Sequence, residues 1–204
     1  VKNPWGGPDL TLADLLQGLL MTGDPEAAEA VRQTLQLSEK DFSRQLNHTA
    51  NALGMFATKF TFPCNENTPC ISTAQDMALL AESLYTHHAI SRIWGASHSL
   101  TLPDGKILHT ENFFLEKSPA ITGVYVSPKR EHIASSAAVL SENPKGSDGR
   151  LRRLLAVSLN NNDRDSLRQE ISSLLLRGYR DYETLKLYSE GDFVANVPIY
   201  KGEE

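Results

Sequence analysis

The chain has 204 residues, a length that suits one large domain or one domain with a small appendage. Forty per cent hydrophobic and 22% charged residues are ordinary globular proportions, and no apolar run approaches the ~18 residues that a membrane-spanning helix requires. Twenty basic against 25 acidic residues give a net charge of −5, so the basic footprint that phosphate backbones demand is missing and nucleic acid is not an expected partner.

The sequence opens on Val1-Lys2-Asn3-Pro4, without Met and without a signal-peptide pattern, so a segment N-terminal to it is expected to have been removed. Leu10, Leu12, Leu15, Leu16, Leu19 and Leu20 recur at helical spacing behind possible caps at Asp9 and Thr11, and Gly23 stops the run. Asp24-Pro25 restarts a helix as an N-cap followed by Pro at the first position, carrying Ala27, Ala28, Val31 and Leu35. Ser38 begins a third, with Phe42, Leu46, Ala50 and Leu53 on one face and Gly54 as terminator. A short strand is expected from Thr58 to Phe62. Thr73 with Asp76 three residues on then makes a box-like start for a helix over 73–86.

Between these last two elements lie Cys64 and Cys70, in the turn-rich run Phe-Pro-Cys-Asn-Glu-Asn-Thr-Pro-Cys. No further metal ligand stands at zinc spacing, so a disulfide is natural in an oxidising compartment and two free surface thiols are the alternative in a reducing one.

After residue 96 the apolar period changes from 3.6 to two. Ser97–Leu102 and Lys106–Thr110 flank Pro103-Asp104-Gly105, a hairpin signal, and Ile121–Ser127, His132–Leu140 and Leu151–Leu159 read as three more strands of an antiparallel sheet. Asp163 or Asp165 caps a helix through Leu167, Ile171, Leu174 and Leu175 to Gly178. Leu185–Tyr188 and Phe193–Tyr200 resemble two strands around Glu190-Gly191-Asp192. Helices, then a meander, then a helix predict a segregated α+β layout.

No Gly-rich phosphate loop, Cys-x-x-Cys, His-Glu-x-x-His or Gly-x-Ser-x-Gly is present. His98 and His109 could face each other across the hairpin, where two exposed histidines are a commoner outcome than a metal pair. Glu111 and Asn112 follow a strand end, where a carboxylate could serve catalysis, although surface solvation is its commoner role.

The stretch Ser72-Thr73-Ala74-Gln75-Asp76-Met77-Ala78-Leu79-Leu80, behind Asn51-Ala52-Leu53-Gly54-Met55 and Thr58-Lys59-Phe60, resembles the low-molecular-mass penicillin-binding proteins. These are the D-alanyl-D-alanine carboxypeptidases of serine peptidase family S11. Leu12–Leu20 looks like the family helix that leads into its second motif, and Leu174–Thr184 like its last helix entering a C-terminal β domain. Most of these matches are core and cap residues, so they bear on fold before activity.

The family's chemistry uses a Ser-x-x-Lys nucleophile, a Ser-x-Asn motif and a Lys-Thr-Gly strand, because a serine hydroxyl is a weak nucleophile until a nearby amine of lowered pKa activates it. No Ser or Thr stands three residues before any Lys here, and the resemblance places the nucleophile segment before the Leu10 helix, outside this sequence. At the second motif stand Thr22, Gly23 and Asp24, so a donating amide is replaced by a carboxylate that cannot donate when ionised. At the third, within Ser118-Pro119-Ala120-Ile121-Thr122-Gly123-Val124, Ile121 takes the lysine position while Thr122 and Gly123 are kept. The family's substrate-carboxylate arginine, counted back without gaps from Leu174, falls on Leu167, with Arg164 and Arg168 near enough to substitute.

The resemblance thus implies a penicillin-binding, β-lactamase-like α+β sandwich, an antiparallel sheet flanked by helices, lacking its N-terminal portion. Residues 1–182 would form the carboxypeptidase-like domain and 183–204 the start of the C-terminal β domain. Thr22 and Asp24 form a degenerate catalytic motif. Gly23, Ile121, Thr122, Gly123, Val124, Arg164 and Arg168 line the expected substrate cleft, and Cys64 and Cys70 form the expected disulfide. The implied role is a catalytically impaired homologue in the periplasm or cell envelope that binds a peptidoglycan stem peptide or an envelope protein. The alternative is an active serine carboxypeptidase with its nucleophile upstream. No cofactor or metal is expected, and membrane association only through parts absent from this sequence.

Overall fold

A computed structural model of the chain describes residues 1–65, 67–87, 90, 99–109, 114, 121–126, 135–143, 151–183, 187–188 and 191–194. Five helices and five strands are seen among them. They are α1 (Leu12–Thr22), α2 (Pro25–Thr34), α3 (Glu39–Ala52), α4 (Ala74–Thr86), β1 (Ser99–Thr101), β2 (Ile107–His109), β3 (Ile121–Val126), β4 (Ser135–Asn143), β5 (Arg152–Asn161) and α5 (Arg164–Asp181).

Local capping chemistry starts every helix. Thr11, not Asp9, caps α1: its hydroxyl accepts from the Asp14 N–H, and the Asp14 carboxylate accepts back from the Thr11 N–H. Asp24, Ser38, Thr73 and Asp163 cap the others, each accepting through its side chain from an N–H of the first turn.

Strands β3, β4 and β5 form an antiparallel sheet in that order, and β1 and β2 form a separate hairpin. Alternation along the sheet sends side chains to two cores. Ala137, Val139 and Ala156 join Leu167 and Ile171 of α5 and Phe114 on one face. Ala138 and Leu140 join Ala81 of α4 on the other, with Leu84, Tyr85, Leu155 and Val157 packed around them. The sheet is therefore sandwiched between α4 and α5, and each fully buried Leu or Ile contributes about 2 kcal/mol from burial alone. A further apolar region forms where α1 and α2 meet through Leu15, Ala27 and Ala30, and where the hairpin's Leu102 and Leu108 cover Leu10.

Three expected features differ. The strand at Thr58–Phe62 is reduced to a single bridge, Lys59 with Ile71. Side chains of α3 take over its hydrogen bonds: Asn47 accepts from the Phe60 N–H at 2.9 Å and donates to the Phe60 carbonyl at 2.6 Å, and Ser43 accepts from the Phe62 N–H at 2.8 Å. Gly178 does not end α5, which runs on to Asp181. The Arg152 guanidinium donates to the carbonyls of Gly178, Tyr179 and Tyr182, satisfying the end of the helix from outside. A Cβ at Gly178 would lie 2.7 Å from Leu154 Cδ1, so the glycine admits close approach of β5. In the tail, Leu187, Tyr188 and residues 191–194 are not in strands. The rest of the two tail strands, like His88, His98, Glu111, Asn112, Ser118–Ala120 and His132, lies outside the described residues.

Candidate functional site

The Thr22-Gly23-Asp24 corner is built by the end of α1 and the start of α2. Gly23 takes the left-handed conformation at φ 60°, which a glycine adopts without Cβ strain, and its N–H donates to Leu19. The Thr22 hydroxyl donates to the Gly18 carbonyl at 2.8 Å and accepts from the Asp24 N–H at 3.2 Å. Asp24 Oδ1 accepts from the Glu26 N–H at 2.9 Å as the α2 cap, and Oδ2 accepts from the Trp5 indole N–H, also at 2.9 Å. Both polar side chains of the corner thus serve the turn between two helices.

On β3 the pairing passes from Ile121 opposite Ser141 to Gly123 opposite Leu140. Thr122 is the extra residue of a β-bulge, and it is exposed. A bulge re-aims its residue and kinks the strand. Gly123 is buried, and Val124 pairs through its backbone with Val139. Ile121 is half-buried and packs against the cluster that holds Leu167, a fully buried residue of α5. Thus the two positions at which the resemblance expects cations, Ile121 and Leu167, are joined in one apolar cluster.

Arg164 and Arg168 lie one turn apart at the start of α5, and Arg168 forms an ion pair with Asp165. Asp163, the cap, accepts from the Ser166 N–H and hydroxyl at 2.8 Å each, and these bonds hold its carboxyl below the usual range. The principal packing of α1 is against α2 and the hairpin, whereas that of β3 is against β4. The corner and the bulge are thus placed by different parts of the fold.

Cys64 and Cys70 are disulfide-bonded, with Cα atoms 5.7 Å apart, in the range such bonds span. His109 lies exposed on β2, and among the described residues no group of three His, Cys, Asp or Glu side chains could hold a metal. No described helix is long and apolar enough to cross a membrane.

Two residues make long-range bonds that their sequence neighbourhoods do not signal. Trp5 reaches Asp24 across 19 positions, and Asp76 accepts from the Ala57 N–H at 3.0 Å and the Thr58 hydroxyl at 2.6 Å, pinning the turn after α3 to α4. The sequence marks Asp76 as part of a helix start but not its partners, and it carries no signal for Trp5.

Residues 6–124 match the peptidase S11 family, described as D-alanyl-D-alanine carboxypeptidase. A curated relative, D-alanyl-D-alanine carboxypeptidase DacF of Bacillus subtilis (strain 168), is 24% identical over 202 residues, which cover 97% of this chain and 50% of the relative. The chain spans about half the length of that relative. Among solved structures, penicillin binding protein 6B from Escherichia coli superimposes with a TM-score of 0.73 at 19% identity, over 91% of this chain and 57% of its own. A D-alanyl-D-alanine carboxypeptidase from Mycobacterium tuberculosis H37Rv does so with a TM-score of 0.70 at 17% identity, over 83% and 64%. At these identities the likeness establishes the fold, a penicillin-binding-protein α+β sandwich.

Proposed function

Because this chain belongs to the peptidase S11 family of D-alanyl-D-alanine carboxypeptidases, we propose that it is a domain of peptidoglycan metabolism that binds a stem peptide and does not hydrolyse it. The observation that carries this reading is the apolar cluster shared by Ile121 and Leu167. Where the family pattern asks for a lysine and an arginine, this chain has two aliphatic side chains, Ile121 packed against the buried cluster to which Leu167 of α5 belongs. Within the 204 residues there is also no Ser-x-x-Lys, and Asp24 stands where an amide is expected. Losses within one catalytic unit do not add, and each alone commonly costs orders of magnitude in rate.

Binding does not require that machinery. An extended peptide can pair along β3 through backbone groups, whose affinity is indifferent to side-chain identity, with the bulge at Thr122 and the buried glycine at 123 shaping the strand. Arg164 and Arg168 are the cations we assign to the peptide's terminal carboxylate. Residues 1–182 form the peptide-binding domain in this reading and 183–204 the start of a second element. The peptide substrate of the family supports a location in the cell envelope.

Titration calorimetry with a stem peptide ending in D-Ala-D-Ala, paired with an assay for released D-Ala, tests the proposal. The expected outcome is binding with a Kd on the order of a millimolar and no D-Ala release. Release of D-Ala by this chain would replace the proposal with the active-carboxypeptidase reading. Absence of binding at millimolar peptide would leave an envelope protein as the partner.

A further inference from the structure

We propose that Trp5, through its indole N–H, selects for a carboxylate over an amide at position 24 and so holds the Thr22-Gly23-Asp24 corner in its acidic form. The inference rests on the reading above only in assigning position 24 to the second motif.

Two N–H donors reach the two oxygens of Asp24 separately: the Glu26 backbone N–H at Oδ1 and the Trp5 indole N–H at Oδ2, each at 2.9 Å. An ionised carboxylate accepts at both oxygens, whereas an amide offers one oxygen and one NH2 group. Whichever way an asparagine side chain were turned at this place, its NH2 would face an N–H donor. With the amide oxygen kept on the exposed Glu26 N–H as the α2 cap, the part-buried indole N–H would lose its acceptor, which costs more than a missing surface bond; turned the other way, the amide would leave the start of α2 uncapped.

The indole cannot step aside cheaply. A Cβ on Gly18 would lie 2.2 Å from Trp5 Cη2 and 2.7 Å from Cζ3, so the ring rests directly on the backbone of α1. The Trp5 N–H donates to Asn3 Oδ1 at 3.0 Å, and its carbonyl accepts from Lys106 Nζ at 2.9 Å. The side chain packs against both the Leu15, Ala27, Ala30 cluster and the Leu10, Leu102, Leu108 cluster. Trp5 stands one residue outside the stretch that matches the family, 6–124, yet it determines which side chain a family motif position can carry. The exchange of amide for carboxylate at 24 is therefore coupled to residue 5, and restoring the amide alone would break the corner rather than rebuild the motif.

A double-mutant cycle by urea unfolding tests this with W5F, D24N and the double variant. D24N is expected to lower the folding equilibrium constant roughly tenfold or more in the Trp5 chain, and less than about threefold in the W5F chain, where no indole N–H opposes the amide. Equal losses in both backgrounds would overturn the proposal. Should W5F not fold, D24S in the otherwise unchanged chain supplies the second measurement, since serine still caps α2 but cannot reach the indole. The Trp5 indole N–H should then exchange with solvent at least about tenfold faster while the Glu26 amide keeps its protection. Unchanged indole protection would refute the coupling. Neither measurement involves the stem peptide, so failure of peptide binding and failure of this coupling are read separately.

Discussion

Asp76→Ala is expected to cost about 3 kcal/mol of folding stability. The side chain is 6% exposed, and its Oδ2 accepts from the Ala57 N–H at 3.0 Å and the Thr58 hydroxyl at 2.6 Å. Truncation strands the Ala57 N–H, while the Thr58 hydroxyl keeps Ser72 Oγ at 2.8 Å as a partner. A stranded donor costs about 1–3 kcal/mol, and a lost hydrogen bond to a charged acceptor about 1.5–3 kcal/mol, so the combined range is about 2.5–6 kcal/mol with its middle at about 4 kcal/mol, and partial hydration of the turn brings it down to about 3 kcal/mol. Asp76→Asn retains a carbonyl oxygen able to accept from both donors and should cost only about 1–2 kcal/mol. Urea unfolding followed by circular dichroism reads both variants. At a slope of about 2 kcal/mol/M the alanine midpoint falls by about 1.5 M with the slope unchanged. An alanine variant within about 0.5 M of wild type, or an asparagine variant as damaged as alanine, would refute the reasoning.

Gly18→Ala places a methyl group 2.2 Å from Trp5 Cη2, and a rigid indole must move as a whole, so a loss of about 1–3 kcal/mol and a red-shifted tryptophan emission are expected. Wild-type stability unchanged by Gly18→Ala would contradict the packing described. Asp163 has its carboxyl held below the usual range by Ser166, so the unfolded chain binds this proton more readily. Its contribution is present above the ordinary carboxylate pKa of about 4 and is lost as pH falls through the lower folded value. Asp163→Asn should therefore flatten the acid side of a plot of urea midpoint against pH, and an unchanged slope below pH 5 would count against that assignment. Replacing Cys64 and Cys70 by serine is expected to remove about 2 kcal/mol, the chain-entropy value for so short a loop, and to leave a folded protein. A variant that no longer unfolds cooperatively would show the bridge holding more than its loop.

Much of the fold is legible in the residues because its signals are local. Thr11, Asp24, Ser38, Thr73 and Asp163 cap their helices with side chains that reach only two or three residues onward. Period-two alternation likewise marks β3, β4 and β5, since each face of the sheet meets its own helix. What escaped depends on distant partners. The Thr58–Phe62 segment has the composition of a strand, but Asn47 and Ser43 of α3 supply its hydrogen bonds from 13 and 19 positions away. Gly178 has the look of a terminator, yet Arg152 and Leu154 of β5 decide its role. At the site, the sequence shows only which residues the resemblance sets at the family's motif positions. That Ile121 and Leu167 share a cluster, and that Trp5 occupies one oxygen of Asp24, became visible only once the chain was folded.

The central claim is that this domain keeps the fold of a penicillin-binding carboxypeptidase without its acylation chemistry, and covalent labelling addresses it most directly. The folded 204-residue chain would be incubated with a fluorescent penicillin, denatured and separated by electrophoresis. No labelled band is expected, because no serine or threonine in the chain has a lysine three residues on, and Ile121 provides no cation at the third motif. A stoichiometric fluorescent band at 22.5 kDa, stable to denaturation, would contradict it.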